Sequence, residues 1–174
     1  MNIDLLIKEH SLLIDKNDEN FINKFSSTTG ANFQKGNLGN YLGSWFEGYI
    51  FTLLVGVLSG ERRYEGFVDK AQKIKEWNTA TIKQYKYCLS LLLSKKDIIS
   101  ELNLDTAKNI DTNYLDYEDN EALVFDILSK LKEVADQFSL GGIDFIRKLE
   151  EKQPDLFDDP FALYRIMQHA KKDT

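Results

Sequence analysis

Histidine and cysteine are the side chains with the most versatile chemistry, and this chain holds only His10, His169 and Cys88. Since the three are far apart in sequence, they offer few ligands from which a zinc site could be built. Cys88 follows the spacing of a helix face together with neighbouring leucines, which is typical of a buried thiol rather than a nucleophile with a base. We therefore predict no metal ligand, no cofactor and no internal disulfide, as suits a reducing cytoplasm.

Carboxylates offer a second kind of chemistry. Residues 116–121 (DYEDNE) are dense in acid but lack the glycine that a calcium loop requires at its sixth position, so an acidic surface loop over 105–120 is the simpler interpretation. Glu47 interrupts an apolar stretch, and together with Glu61 and Glu65 it could serve as an acid or metal ligand. A structural role for Glu47, paired with a cation, is the simpler hypothesis, and a carboxylate-based enzyme remains an alternative.

Basic residues cluster in one segment. Residues 62–96 contain nine basic and three acidic side chains, whereas 97–126 contain nine acidic and one basic. This asymmetry is compatible with a nucleic-acid-binding face, and helices over 67–77 and 80–93 around Asn78-Thr79 would form a helix-turn-helix. The lysines offered to nucleic acid would be Lys70, Lys73, Lys83 and Lys86. Against this, the net charge of −6 does not favour a general nucleic-acid binder.

The stretch 36–60 (GNLGNYLGSWFEGYIFTLLVGVLSG) is the feature around which the chain is organised. Apolar residues at spacings of three and four predict one helix over 37–59, with Gly60 as its C-cap, and six of the ten glycines lie in 36–60. Glycine costs stability within a helix, but it allows another backbone to approach closely. We therefore predict a buried central helix or a self-association surface. A membrane span is not expected, because the apolar part, 42–58, is too short and contains Glu47.

An arginine pair beside a tyrosine follows this helix and has the composition of an interface hot spot. Arginines at a helix C-terminus also satisfy its carbonyl groups and its dipole, so both roles stay open. The residues predicted to form an interaction surface come from the glycine-rich helix and from this cluster: Gly39, Gly43, Trp45, Gly48, Arg62, Arg63 and Tyr64.

The remaining periodicity predicts further helices. They cover 2–14, a short segment capped by Asn17 or Asp18, 67–93, 97–104, 121–138, 143–152 and a last helix that starts at Pro160. Gly141-Gly142 is predicted to end the helix over 121–138. The chain thus predicts an all-α, single-domain bundle (1–174) of about seven to eight helices.

These patterns favour a non-enzymatic protein-interaction subunit of a cytoplasmic complex, with a protein partner or a homo-oligomer expected and no membrane. The N-terminus does not resemble a secretory signal. A nucleic-acid-binding accessory protein that uses 62–96, and a carboxylate enzyme around Glu47 and Glu61, are the alternatives.

Overall fold

Helices dominate the computed structural model, which describes residues 3–9, 12–24, 42–64, 72–74, 77–103 and 121–172. In these ranges the α-helices are α1 (Ile3–Glu9), α2 (Lys16–Ile22), α3 (Trp45–Ser59), α4 (Thr79–Leu93), α5 (Lys96–Glu101), α6 (Glu121–Lys152) and α7 (Ala162–Lys172). A 3₁₀ helix, Pro154–Asp158, precedes α7. Two three-residue strands, β1 (Leu12–Ile14) and β2 (Gln72–Ile74), complete the described elements. The predicted all-α class is confirmed.

The chain forms two compact units. The first comprises Met1–Ser11 and Lys75–Ala135, and the second comprises Leu12–Ile74 and Asp136–Thr174. Because α6 runs from 121 to 152, it contributes residues to both units. A single domain over 1–174 stays a prediction, and the acidic loop predicted over 105–120 lies outside the described residues.

In the first unit, α1 packs against α4, and α4 is followed directly by α5. The carboxylate of Asp4 lies 2.5 Å from Lys86 Nζ. Asn78 caps α4, because its side-chain oxygen accepts hydrogen bonds from the backbone of Ala80 and Thr81, and the Thr81 hydroxyl accepts from the backbone of Asn78. This reciprocal capping box explains why the helix begins there and confirms the predicted break at Asn78-Thr79.

Two predicted helices contain strands instead. The helix predicted over 2–14 ends at Glu9, and the predicted 67–77 helix is wrong at Gln72–Ile74. Strands β1 and β2 pair antiparallel, with Leu12 opposite Ile74 and Ile14 opposite Gln72. Leu12 and Ile14 are both buried, as expected for residues two apart in a strand. The apolar residues Ile3, Leu6, Ile7, Leu13 and Ile14 recur at the spacing of a helix face, which is why periodicity misled here. The helix-turn-helix interpretation fails with its first helix.

Helix α2 is capped by Asp15, whose carboxylate accepts a hydrogen bond of 2.8 Å from the backbone of Asn17. The prediction of Asn17 or Asp18 as the cap is wrong. Asp15, Asn17 and Asp18 are all of residue types that can cap a helix, so the sequence alone did not distinguish among the three. Asp18 instead enters the ion-pair network described below.

Helix α3 begins later than predicted, at Trp45 rather than at 37. Ser44 is its N-cap and accepts a 3.2 Å hydrogen bond from Glu47 N, while the Glu47 carboxylate accepts one of 2.6 Å from Gly43 N. Capping chemistry therefore sets the start, although the apolar periodicity extends further back. At the other end, Gly60 adopts the left-handed conformation with φ 73°, which confirms the predicted C-cap.

Helices α3 and α6 cross with their backbones in direct contact. A Cβ atom added to Gly56 would lie 2.0 Å from the carbonyl oxygen of Phe138, and one added to Gly142 would lie 1.9 Å from that of Thr52. Neither distance leaves room for a carbon atom. The crossing therefore requires glycine on both helices, which is the close approach that the glycines of 36–60 predicted.

The predicted end of a helix at Gly141-Gly142 is wrong, since α6 continues to Lys152. A Cβ atom on Gly141 would lie 2.2 Å from the carbonyl oxygen of Glu61. Both glycines thus serve close packing within the helix rather than its termination. Each costs roughly 1 kcal/mol of helix propensity, and the packing that they permit offsets that cost.

Helix α7 packs along α3 in the second unit. Ala162, Ile166 and Ala170 recur every four residues and are completely buried, so one face of α7 meets the core. Asp159 precedes the helix, and its carboxylate accepts a 2.7 Å hydrogen bond from Phe161 N.

The crossing gives a stability prediction. We expect Gly142→Ala to lower the free energy of unfolding by more than about 3 kcal/mol, because α3 and α6 must separate to admit the methyl group. Urea denaturation of wild type and variant measures this loss. Gly43→Ala is the matched control, since an added Cβ there meets only the Glu47 carboxylate at 3.4 Å, and it should change stability by less than about 0.5 kcal/mol. Equal midpoints for the two variants would contradict the crossing.

Candidate interaction site at the end of helix α3

A buried polar seam runs along the contact of α3 and α6. The hydroxyl of Tyr49 donates a 2.7 Å hydrogen bond to the carboxylate of Asp136, and the hydroxyls of Thr52 and Ser139 are 2.7 Å apart. All four residues are almost completely buried. Buried polar groups must be hydrogen-bonded to be tolerated, so this pairing fixes which turn of α3 meets which turn of α6.

An ion-pair network attaches the segment after α3 to α2 and α6. Asp18, only 1% exposed, lies between Arg63 Nη1 at 2.7 Å and Arg147 Nη2 at 2.6 Å. Arg63 also donates two hydrogen bonds to the Asp144 carboxylate, one of them 2.7 Å from Nε. These bonds, first of all those to Asp144, raise the pKa of Arg63. Arg63 thus binds Asp18 of α2 and Asp144 of α6. Because both acids belong to other elements, Arg63 acts as an internal clamp.

Arg62 and Tyr64 form an ordered platform on the surface of the second unit. The Arg62 guanidinium lies 5.0 Å from the Phe138 ring centroid and 4.8 Å from that of Tyr64, and it also donates a hydrogen bond to the side chain of Gln137. The Gln137 carbonyl accepts a 3.1 Å hydrogen bond from Arg63 N. Tyr64 remains 65% exposed. We call Arg62 and Tyr64 together the Arg62–Tyr64 platform.

Two partly exposed ion pairs also join residues of the second unit. Lys148 Nζ is 2.7 Å from the Glu61 carboxylate, and Lys24 Nζ is 2.8 Å from that of Glu150. Exposed pairs of this kind contribute little to stability, typically about 0–1 kcal/mol.

Those predicted interaction residues that the structure describes do not form one surface. Gly43 is exposed just before α3, whereas Trp45 is buried and donates a 2.8 Å hydrogen bond from Nε1 to Asn23. Gly48 is buried within α3, and Gly39 lies outside the described residues. Because the 15 residues of α3 span roughly 20 Å, Gly43 and Trp45 lie at the opposite end of the helix from Arg62.

The basic residues named as nucleic-acid contacts belong to different elements where the structure describes them. Lys83 is exposed on α4, and Lys86 on the same helix pairs with Asp4. The backbone of Lys73 belongs to β2, and Lys70 lies outside the described residues.

The candidate catalytic carboxylates have structural partners. Glu47 is exposed and binds the backbone of Gly43, while Glu61 binds Lys148; Glu65 is outside the described residues. His169 is half-buried on α7, and His10 is not described. Within the described ranges, no group of three or more His, Cys, Asp or Glu side chains is arranged to hold a metal ion.

The structure also bears on the membrane prediction. Of the helices in the described part of the chain, none combines the length and the apolar character needed to cross a bilayer.

Cys88 lies on the buried side of α4, and burial raises the pKa of its thiol from 9.0 to about 11. The thiol is therefore protonated at neutral pH, which is the state of a weak nucleophile.

Comparisons of the chain with models of protein families, with curated proteins and with solved structures found no match.

The sequence singled out Arg62, Arg63 and Tyr64 by residue type, but it did not indicate which distant residues they contact in the structure. Asp18 and Asp144 are distant in sequence from Arg63, and nothing in the local pattern singles them out. Asp136 and Ser139 did leave a signal, because they are polar residues within the apolar periodicity of α6.

The clamp gives a second stability prediction. We expect Arg63→Met to lower the free energy of unfolding by about 2–3 kcal/mol, because Asp18 stays buried with only Arg147 beside it. Lys148→Met is the matched control, since it removes an exposed pair and should cost less than about 1 kcal/mol. Chemical denaturation measures both. If Arg63→Met were no more harmful than its control, the clamp would not stabilise the fold.

The thiol gives a prediction on pH. Since burial raises the pKa of Cys88 to about 11, the native state keeps its proton where the unfolded state has lost it. The titration of Cys88 therefore leaves the free energy of unfolding unchanged below pH 9 and lowers it as the pH rises towards 11. We expect urea midpoints to fall less steeply over this range in Cys88→Ala than in wild type. Alkylation of the folded wild type at pH 8 should also be slow and become fast in urea; rapid labelling of the folded protein would contradict a buried thiol.

Proposed function

We propose that the protein is a protein-binding subunit of a larger complex and that the Arg62–Tyr64 platform contacts its partner. The observation that carries this proposal is the exposure of Tyr64, 65%, on a residue whose ring is already held against the Arg62 guanidinium. Tyrosine and arginine are, with tryptophan, the residue types most enriched among those that dominate binding energy at interfaces.

The order of the platform adds support. Binding restricts flexible side chains at an interface, and each side chain that becomes ordered costs roughly 0.5–1.5 kcal/mol of binding free energy. Arg62 is already fixed between two rings and hydrogen-bonded to Gln137, and the adjacent Arg63 is clamped to Asp144. These side chains are therefore already ordered in the free protein. A partner can contact the Tyr64 ring with little further loss of side-chain entropy.

The glycines of α3 support the proposal less than the sequence suggested. α6 of the same chain packs directly against Gly56, so this position is not available to another protein. Gly43 is exposed, but it precedes the helix and its amide binds Glu47. The proposed contact therefore moves from the glycine-rich helix to the segment that follows it.

Nucleic-acid binding through 62–96 is a second proposal with its own support. Lys83 is exposed on α4, and Tyr87, four residues later on the same helix, is 71% exposed. Positively charged and aromatic side chains side by side suit single-stranded nucleic acid. The carboxylate enzyme has less support, because Glu61 pairs with Lys148 and Glu47 accepts a hydrogen bond from the backbone of Gly43.

Capture of binding partners tests the proposed function. Tagged wild type, Tyr64→Ala and Tyr87→Ala are recovered from the native cells with and without nuclease, and bound proteins are quantified by mass spectrometry. We expect wild type and Tyr87→Ala to retain the same stoichiometric partner and Tyr64→Ala to lose it, with affinity reduced at least about tenfold. Tyr87→Ala is the matched control because it removes an equally exposed tyrosine from α4.

Each other outcome decides against the platform. Equal recovery with Tyr64→Ala, or no stoichiometric partner at all, would overturn it. Partners that nuclease releases and that Tyr87→Ala loses would favour the nucleic-acid proposal instead.

A further inference from the structure

Gln137 of α6 binds two consecutive residues of the segment that carries the platform. Its backbone carbonyl accepts a 3.1 Å hydrogen bond from Arg63 N, and its side-chain Oε1 accepts one from Arg62 Nη2. Gln137 is only 7% exposed. Since it is almost buried, it offers a partner little surface of its own.

The backbone of this segment lies directly on α6. A Cβ atom added to Gly141, one turn after Gln137, would lie 2.2 Å from the carbonyl oxygen of Glu61 and 2.7 Å from Arg62 N. The glycine therefore fixes the height at which the segment crosses the helix. What this backbone contact does not fix is the direction of the long Arg62 side chain, which has many rotamers.

Two kinds of contact hold the Arg62 guanidinium, and they restrict it differently. The rings of Phe138 and Tyr64 attract it from 5.0 and 4.8 Å. A ring attracts a cation through its quadrupole, which does not distinguish among the five N–H groups of arginine. A hydrogen bond does distinguish among them, because one N–H must point at the acceptor. The bond to Gln137 Oε1 therefore orients the guanidinium, and through it the Tyr64 ring.

We propose that Gln137 is a positioning residue of the Arg62–Tyr64 platform, which sets the affinity for the partner without contacting the partner itself. This inference rests on the proposed function, because it needs a partner that binds Tyr64. Without the Gln137 oxygen, the guanidinium adopts more orientations, and the Tyr64 ring on it does the same. The partner then has to order both side chains, which lowers its affinity.

Three variants of α6 test this role. Gln137→Met keeps the length of the side chain but removes the acceptor, whereas Gln137→Glu keeps an acceptor oxygen. Ser139→Ala is the matched control, since it removes a buried hydrogen bond to Thr52 that is not part of the platform. We expect Gln137→Met to weaken binding of the partner captured by wild type about tenfold, and the other two to stay within about twofold of wild type. Titration calorimetry measures these affinities, and circular dichroism confirms that each variant is folded.

A double substitution separates positioning from a loss of stability. In the Tyr64→Ala background, Gln137→Met should lower the affinity by less than about twofold, because the ring through which it acts is already absent. A substitution that only destabilised the fold would cost as much in either background. Losses that multiply in the double variant would overturn the proposal. So would a Gln137→Glu variant that binds no better than Gln137→Met, or a Ser139→Ala variant that is weakened as much.

NMR spectroscopy gives a second readout that needs no partner. The Arg62 protons at Cδ and Nε lie near two aromatic rings, whose ring currents displace their chemical shifts. We expect Gln137→Met to move these shifts towards those of an exposed arginine and Ser139→Ala to leave them in place. Unchanged shifts in Gln137→Met would overturn the proposal. A wild type that captures no partner would overturn the proposed function and the affinity effect with it, while a response of the Arg62 shifts would still show that Gln137 positions Arg62.

Discussion

The second unit depends on a contact in which two helix backbones touch. Where Gly56 meets Gly142, each residue lacks the Cβ atom that would hold α3 and α6 apart. The helices can then approach until the polar groups of Tyr49 and Asp136 reach hydrogen-bond distance. Gly141 extends the contact to the carbonyl of Glu61, so the chain leaves α3 already lying on α6.

The polar seam and the ion-pair network give this contact a single register. Apolar surfaces can slide past each other at modest cost, but a shift by one turn would leave the buried carboxylate of Asp136 without the Tyr49 hydroxyl. Arg63 acts in the same way at the end of α3, since it joins Asp18 of α2 to Asp144 of α6. The order of the neighbouring Arg62 and Tyr64 follows from this attachment.

Some local chemistry was readable from the sequence, although the N-caps Asp15 and Ser44 were missed, and long-range pairing was not readable. The Gly60 C-cap and the Asn78 break were predictable because each depends on a few adjacent residues. Gly141-Gly142 could end a helix or allow another helix to pack closely against it. Which of the two occurs depends on α3, about 85 positions earlier, so the local sequence pattern does not decide between them. The same limit applies to the site, where Arg62 and Tyr64 stood out by type but their partners did not.

The distance along the chain between α3 and its binding surface has a consequence during synthesis. Thr52 and Ser139, which meet in the seam, are 87 residues apart. At about 5–20 residues per second, a ribosome needs roughly 4–17 seconds to add that length. For that interval the most apolar segment of the protein has no α6 to cover it, so nascent chains are the form in which aggregation or chaperone binding is to be expected.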